Sequence, residues 1–238
     1  FKVLTMSAGI DSGKITPNTT FNDTGSLTLN GKTIKNWDLK AHGLVTMTNV
    51  LEESINTGAA FAQRKTGNDL FYNYLLKFGL GVPTGIDLPG ELSGNLKNLV
   101  KKPREIDFAS ASFGQGVSLT PIQLINAVSA IANDGLLMKP FLVEGTLPQS
   151  LRGVLSSDSA DKVTAMMVSA VKKAQVAQIP EYEIAGKTGT AQVADLKNGG
   201  YGDSYIHSYV GFAPAGDPRF IILMRIDKPK GAPLAGLT

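Results

Sequence analysis

The chain has 238 residues, 42% of them hydrophobic and 18% charged, which is long and apolar enough to bury a sizeable core and excludes a disordered or fibrous chain. With no cysteine there can be no disulfide, thiolate zinc site or cysteine nucleophile, and a net charge of +3 spread over scattered lysines gives no nucleic-acid footprint. No stretch reaches the roughly 18 apolar residues of a membrane span, the richest run, Phe220-Ile221-Ile222-Leu223-Met224, being broken by Arg225.

In chain order, an apolar pattern at Phe1, Val3, Leu4 and Met6 predicts a helix already under way at the first residue and ending at Asp11-Ser12-Gly13. A Gly/Thr/Asn-rich stretch follows to about Asp38. Residues 47–67 read as helix with an interruption around 54–58. Asn68 is the expected cap of an amphipathic run through Leu70, Phe71, Tyr74, Leu75 and Phe78 that stops at Gly79. Thr120 as N-cap, Pro121 at the first helical position and Gly135 beyond the end frame another helix, with Leu124, Ile125, Val128 and Ile131 on one face. A third clear helix is predicted over 158–175. The period then becomes strand-like over 182–193, 206–213 and 219–226, joined by turn-rich 195–204 and by 214–218. A mostly helical first part followed by consecutive strands on short links predicts an α+β fold with an antiparallel sheet. There is no repeat or low-complexity tract, so one domain body is expected.

Three short segments carry candidate chemistry. Lys187-Thr188-Gly189-Thr190-Ala191 lies in the first of the late strands. Gly189 there would let a ligand backbone approach, and Lys187 with the hydroxyls of Thr188 and Thr190 would offer donors to a carboxylate. A phosphate-binding loop ending in Gly186-Lys187-Thr188 would require a glycine where Glu181 stands. Ser54-Ile55-Asn56 falls at the helix interruption, so Ser54 and Asn56 would point the same way if that turn were extended, although a cap or polar turn has the same composition. Ser112-Phe113-Gly114-Gln115-Gly116 is a glycine-flanked turn, which taken alone reads as structure. His42 and His207 are the only histidines, no metal-ligand spacing or cofactor motif occurs, and Gly116-Val117-Ser118-Leu119-Thr120 fails the nucleophile-elbow pattern at its last position. His207, just before the second late strand, is expected near any cleft built on the first.

Taken together, the order and spacing of these segments resemble the transpeptidase domain of the class B penicillin-binding proteins. The likeness includes the stretch from Asn126 to Pro140 after the glycine turn and Ser208-Tyr209-Val210-Gly211-Phe212-Ala213-Pro214 after the lysine strand. It runs over essentially the whole chain, and Ala111-Ser112-Phe113-Gly114-Gln115-Gly116 is most similar to septal, cell-division members. The resemblance implies the fold shared by penicillin-binding proteins and serine β-lactamases, with residues 1–238 forming a partial domain truncated at both ends. Strands before Phe1 and a helix after Thr238 would complete the sheet, and residues 1–238 alone would leave apolar faces uncovered and aggregate or fold only in part.

The family's nucleophile lies in a Ser-x-x-Lys motif at a helix start, where the amine can take the hydroxyl proton. Phe1-Lys2-Val3-Leu4 looks like the end of that motif, so the serine would stand three residues before Lys2, outside this chain. Two further matches, Ser159 to Lys162 and Ser169 to Lys172, come after the Ser-x-Asn turn and in the wrong order, and read as helix surface. The resemblance implies that Lys2 acts as base, Ser54 relays a proton to the leaving amine and Asn56 binds the substrate backbone. Lys187 supplies positive potential, Thr188 and Thr190 bind the terminal carboxylate, and the Thr190 N–H forms half of an oxyanion hole beside Gly189.

The implied partners are a peptidoglycan stem peptide ending in D-Ala-D-Ala, β-lactam antibiotics and membrane proteins of a division complex, with no nucleic acid, metal or cofactor. The implied location is the outer face of the bacterial cytoplasmic membrane, by way of an N-terminal anchor. Two alternatives stay open: a D,D-carboxypeptidase or β-lactamase-like serine hydrolase, for which no Glu-x-x-Leu-Asn segment supplies a deacylation base, and a non-catalytic division scaffold that retains the cleft.

Overall fold

A computed structural model describes residues 1–194, 200–232 and 234–237. Helix α1 (Lys2–Asp11) is buried at every position from Val3 to Ile10. A helix covered on all sides belongs in the centre of a domain, and Gly9 lets the chain return over it, since a β-carbon there would stand 2.7 Å from Ile15.

Four short strands follow: β1 (Thr20–Asp23), β2 (Ser26–Leu29), β3 (Lys32–Lys35) and β4 (Gly43–Thr46). They form two antiparallel pairs, β1 with β4 and β2 with β3. They fall in and just after the Gly/Thr/Asn-rich stretch of a part expected to be mostly helical, and the sequence held one clue to them. Leu29 pairs with Lys32 around Asn30-Gly31, whose φ values of 48° and 73° are those of an Asn-Gly hairpin turn.

Helices α2 (Met47–Glu52) and α3 (Asn56–Thr66) replace the interrupted helix, and α4 (Asn68–Lys77) buries Phe71, Tyr74 and Leu75 as its periodicity requires. Asn68 is the first helical residue of α4 and not its cap. Gly67 precedes it at φ 88°, and the Asn68 side chain instead accepts the Gln63 amide at 2.9 Å. A short 3-10 turn at Lys97–Leu99 leads to α5 (Glu105–Ala111) and then α6 (Pro121–Ala132). The Thr120 hydroxyl accepts the Gln123 N–H, and the Gln123 side chain accepts that of Thr120, a reciprocal capping box. Of the expected α6 face, Val128 and Ile131 are buried while Leu124 and Ile125 are only half-buried, and Ala127 and Ala130 are buried instead.

A second hairpin, β5 (Leu136–Met138) with β6 (Ser150–Gly153), separates α6 from α7 (Ser157–Ala174). The closing sheet is the antiparallel meander β7 (Ala185–Ala194), β8 (Tyr201–Ala213) and β9 (Phe220–Asp227), in that order. Strand β8 begins five positions before its expected start, inside the segment whose Gly, Asp and Ser residues read as turn. The rest of that segment, 195–199, lies outside the described residues.

One core holds these elements together. Val163, Met167 and Val171 of α7 are buried between α2 and the sheet, and Leu4 and Met6 of α1 join the same cluster. The helix-facing side of the sheet carries Ala185, Val210 and Phe212, all buried. Its other side, with Phe220, Ile222, Met224 and Ile226 exposed, forms an apolar groove of about 570 Å³ that also takes in Tyr182 and His207.

Candidate active site

The site begins at the junction of α2 and α3. Glu53 ends α2, the Ser54 N–H bonds the Leu51 carbonyl at 3.3 Å and the Ile55 N–H bonds that of Val50 at 3.0 Å. This is a Schellman ending, which calls for a left-handed residue at the position of Ser54 and an apolar contact between the two residues flanking the bonds. Ser54 has φ 56°, and Ile55 and Val50 are both fully buried. The turn is therefore not extended, and Asn56 is already the first residue of α3, correcting the basis on which the two side chains were expected to align. Glycine normally fills such a position, so a serine there implies a use for its hydroxyl. Gly58 completes the junction, since a β-carbon there would stand 2.3 Å from Val50.

Lys2, at the start of α1, donates from Nζ to Ser54 Oγ at 3.3 Å. Burial of its ammonium, followed by the charge of Lys187, lowers its pKa well below the ordinary 10.5. Lys187 is 8% exposed, and burial holds its pKa down at about 8. Its Nζ donates to the Thr188 carbonyl at 3.1 Å and the Thr188 hydroxyl at 3.4 Å. Among the described residues, no carboxylate forms an ion pair with either lysine. Lys2 touches Ser54 and feels the charge of the buried Lys187, which weakens Lys2's hold on its proton and favours an anion at this point.

The glycine turn joins them. Thr5 of α1 donates to the Ser112 carbonyl at 2.6 Å, Phe113 puts its ring 5.8 Å from Lys2 Nζ, and a β-carbon on Gly114 would stand 3.0 Å from Phe1. Burial raises the pKa of the Tyr201 phenol and the Gly116 backbone partly offsets that rise, which puts the β7–β8 hairpin beside the same turn. A segment that reads as mere structure in isolation thus packs around the base of the candidate cleft.

Strand alternation sorts the remaining residues. Lys187 and Gly189 share the face turned to the helices, and Thr188 and Thr190 share the opposite one. Gly189 is opposite Ser208, whose Oγ would lie 2.6 Å from an added β-carbon, so a larger residue there would have to displace that hydroxyl. Thr190 is exposed, and its hydroxyl accepts the Ala235 N–H at 3.1 Å. Among the described residues β7 is an edge strand, which leaves the backbone groups on its outer side for a ligand. His207 pairs with Thr190 across the sheet and lines the apolar groove. Neither of the other Ser-x-x-Lys matches forms a pair: Lys162 bridges Asp158, Lys172 bridges Glu183, and Ser169 donates to Glu52.

Residues the sequence did not single out also shape the site. Asn36 accepts the Asn56 and Thr57 N–H groups at 3.1 and 3.2 Å, Asn56 Nδ2 donates to the Lys35 carbonyl at 2.9 Å, and Trp37 Nε1 donates to the Glu53 carbonyl at 3.0 Å. Only the chain reversal at Asn30-Gly31 hinted that this stretch returns toward Ser54.

An α+β domain with an antiparallel meander and a lysine-bonded serine at a helix junction defines the class of protein to compare. Residues 1–236 match the penicillin-binding protein transpeptidase domain, and the chain belongs to that family. It is 34% identical to stage V sporulation protein D of Bacillus subtilis over 97% of its own length and 38% of that protein's. It is also 34% identical to the probable peptidoglycan D,D-transpeptidase PbpC of Pseudomonas aeruginosa, over 96% of this chain and 40% of that one. Among solved structures, the transpeptidase domain of Burkholderia pseudomallei penicillin-binding protein 3 superposes with a TM-score of 0.88 at 30% identity, covering 99% of this chain and 72% of that one. Penicillin-binding protein 3 of Mycobacterium tuberculosis complexed with ampicillin gives a TM-score of 0.85 at 31% identity, over 96% of this chain and 55% of that one. The chain thus spans about two fifths of the length of the curated relatives it matches.

Proposed function

We propose that the protein containing these residues is a peptidoglycan D,D-transpeptidase working through an acyl-serine, with its nucleophile three residues before Lys2. The observation that carries this reading is the contact of Lys2 Nζ with Ser54 Oγ under the charge of Lys187. A lysine whose pKa is lowered by burial and by a neighbouring cation gives up its proton more readily than an ordinary lysine and so suits the role of base.

The serine hydroxyl attacks the carbonyl between two terminal D-alanines of a stem peptide and passes its proton to Lys2. The tetrahedral oxyanion collapses with cleavage of the C–N bond, and the leaving amine takes a proton relayed through Ser54 to depart as D-alanine. An amine from a neighbouring stem then attacks the ester, forming the cross-link and freeing the serine. Asn56 holds the donor backbone and the Thr190 N–H stabilises the oxyanion. Thr188, Thr190 and the positive potential of Lys187 receive the terminal carboxylate.

A β-lactam would acylate the same serine, a role supported by the ampicillin complex of the Mycobacterium tuberculosis relative. The reading places the site on the outer face of the cytoplasmic membrane, held by an N-terminal anchor, in partnership with division proteins. None of the described helices is itself long and apolar enough to cross a membrane.

Intact-mass measurement and peptide mapping of the protein extended upstream of Phe1, after incubation with a penicillin, tests the proposal. An adduct on a serine three residues before Lys2 is the expected result. A folded sample without an adduct would overturn the catalytic reading.

A further inference from the structure

Asp23, Asn36 and Thr57 are 1%, 2% and 2% exposed, three polar side chains buried side by side next to the Ser54 turn. Asp23 Oδ1 accepts the Thr57 hydroxyl at 2.6 Å and the Gly25 N–H at 2.9 Å, and Oδ2 accepts Asn36 Nδ2 at 2.7 Å and the His42 N–H at 3.0 Å. Asn36 Nδ2 also donates to the Lys40 carbonyl at 3.0 Å, so its Oδ1 is turned toward the first two N–H groups of α3. Burial alone would raise the Asp23 pKa, yet the Thr57, Gly25, His42 and Asn36 donors outweigh it and keep the group below the ordinary carboxylate range.

The reason for so long-range an arrangement lies at residue 55. A helix start wants a polar side chain at its N-cap, which for α3 is Ile55. The same residue closes the Schellman ending of α2 through its buried contact with Val50, and that role wants an apolar side chain. One residue cannot do both, and the apolar role has won. Asn36 supplies the missing cap from 20 positions away, and Asp23 fixes which way Asn36 points. Lys35, beside Asn36, takes the Asn56 amide donor and leaves Asn56 Oδ1 as an acceptor for a ligand N–H.

We propose that Asp23, Asn36 and Thr57 form a positioning network for Asn56, capping α3 from outside the helix and setting the direction in which Asn56 meets the donor substrate. The inference rests on the acyl-serine reading above. It predicts that damage to the network slows acylation only through Asn56, a coupling that general loosening of the fold would not produce.

The test measures acylation by a fluorescent penicillin in the protein extended upstream of Phe1, with Asn36→Ala and Thr57→Val each placed in the wild-type and in the Asn56→Ala background. Misplacing a substrate-binding group by about 1 Å can slow a reaction on the order of a hundredfold. Asn36→Ala should therefore slow acylation by ~10-fold or more, and Thr57→Val, which exchanges a hydroxyl for a methyl of the same shape, by ~3-fold or more. In the Asn56→Ala background each should change the rate by less than about twofold. Equal slowing in both backgrounds, or no slowing in the wild type, overturns the inference while leaving the acyl-serine reading intact. If Asn36→Ala does not fold, Thr57→Val decides the matter by the same comparison. Absence of any adduct in the wild-type protein overturns the acyl-serine reading and this inference with it.

Discussion

Lys2 and Ser54 are separated by 52 positions in the chain, yet the amine of one donates to the hydroxyl of the other at 3.3 Å. The contact depends on two unrelated local features. Helix α1 is buried from Val3 to Ile10 and so holds Lys2, at its first position, in place. The end of α2 places Ser54 in a left-handed turn that aims its hydroxyl at that amine.

Because glycine adopts such a turn without strain, Ser54→Gly should raise stability, by about 0.5–1 kcal/mol, while removing the proposed proton relay. Chemical denaturation and penicillin acylation measured on the same extended protein would check this. A variant more stable than wild type and acylated at the wild-type rate would show that the hydroxyl has no part in the reaction.

Lys187 links charge to stability. Unfolded, its pKa is the ordinary 10.5, and folded it is about 8, so between those values the unfolded chain binds the extra proton and stability rises with pH. Below about 8 the burial cost is fully present, on the order of 3 kcal/mol, and it fades as pH climbs toward 10.5. Lys187→Met should therefore melt several degrees higher than wild type at pH 7, with a smaller gap at pH 10, and lose acylation. A melting difference that is the same at both pH values would argue against a charged, buried Lys187.

The same pKa sets an alkaline limit on the reaction. Acylation should decline through about pH 8 as Lys187 loses the proton that, in the proposed function, attracts the substrate carboxylate. A penicillin whose carboxylate is esterified should react slowly at all pH values and show no such decline. An identical alkaline limb for the ester would assign that titration to another group.

Gly58→Ala should cost about 1–3 kcal/mol, because the new methyl would lie 2.3 Å from a β-branched, fully buried Val50 that has no room to turn aside. It should also slow acylation, since α2 and α3 meet at this contact and the Ser54 turn lies between them. Val50→Ala in the same chain should recover part of both losses. Absence of any recovery would locate the effect elsewhere.

Much of this was legible from the residues themselves. Apolar spacing fixed α1, α4, α6 and α7 to within a residue or two, and the Thr120-Pro121 pair marked the start of α6, because a helix stripe and its cap are encoded within a few positions. The late strands and their antiparallel order followed from alternation and short links. The strands near Asn36 were not legible in the same way. Each is only four residues long; β2 and β3 pair locally around Asn30-Gly31, whereas β1 and β4 become strands only by pairing with each other across that hairpin.

For the site, the sequence by itself determined which groups are present: two lysines, a serine and an asparagine in a spaced pair, and a strand of small hydroxyl residues with a glycine. Only the tertiary structure decided that Lys2, Ser54 and Lys187 meet, that Gly189 answers to Ser208 across the sheet and that Asn36 caps a helix beginning 20 positions later. The physical reason is range. Caps, turns and periodicity act between neighbours along the chain, whereas shared burial of charge and hydrogen bonding across strands exist only once the core has brought distant segments together.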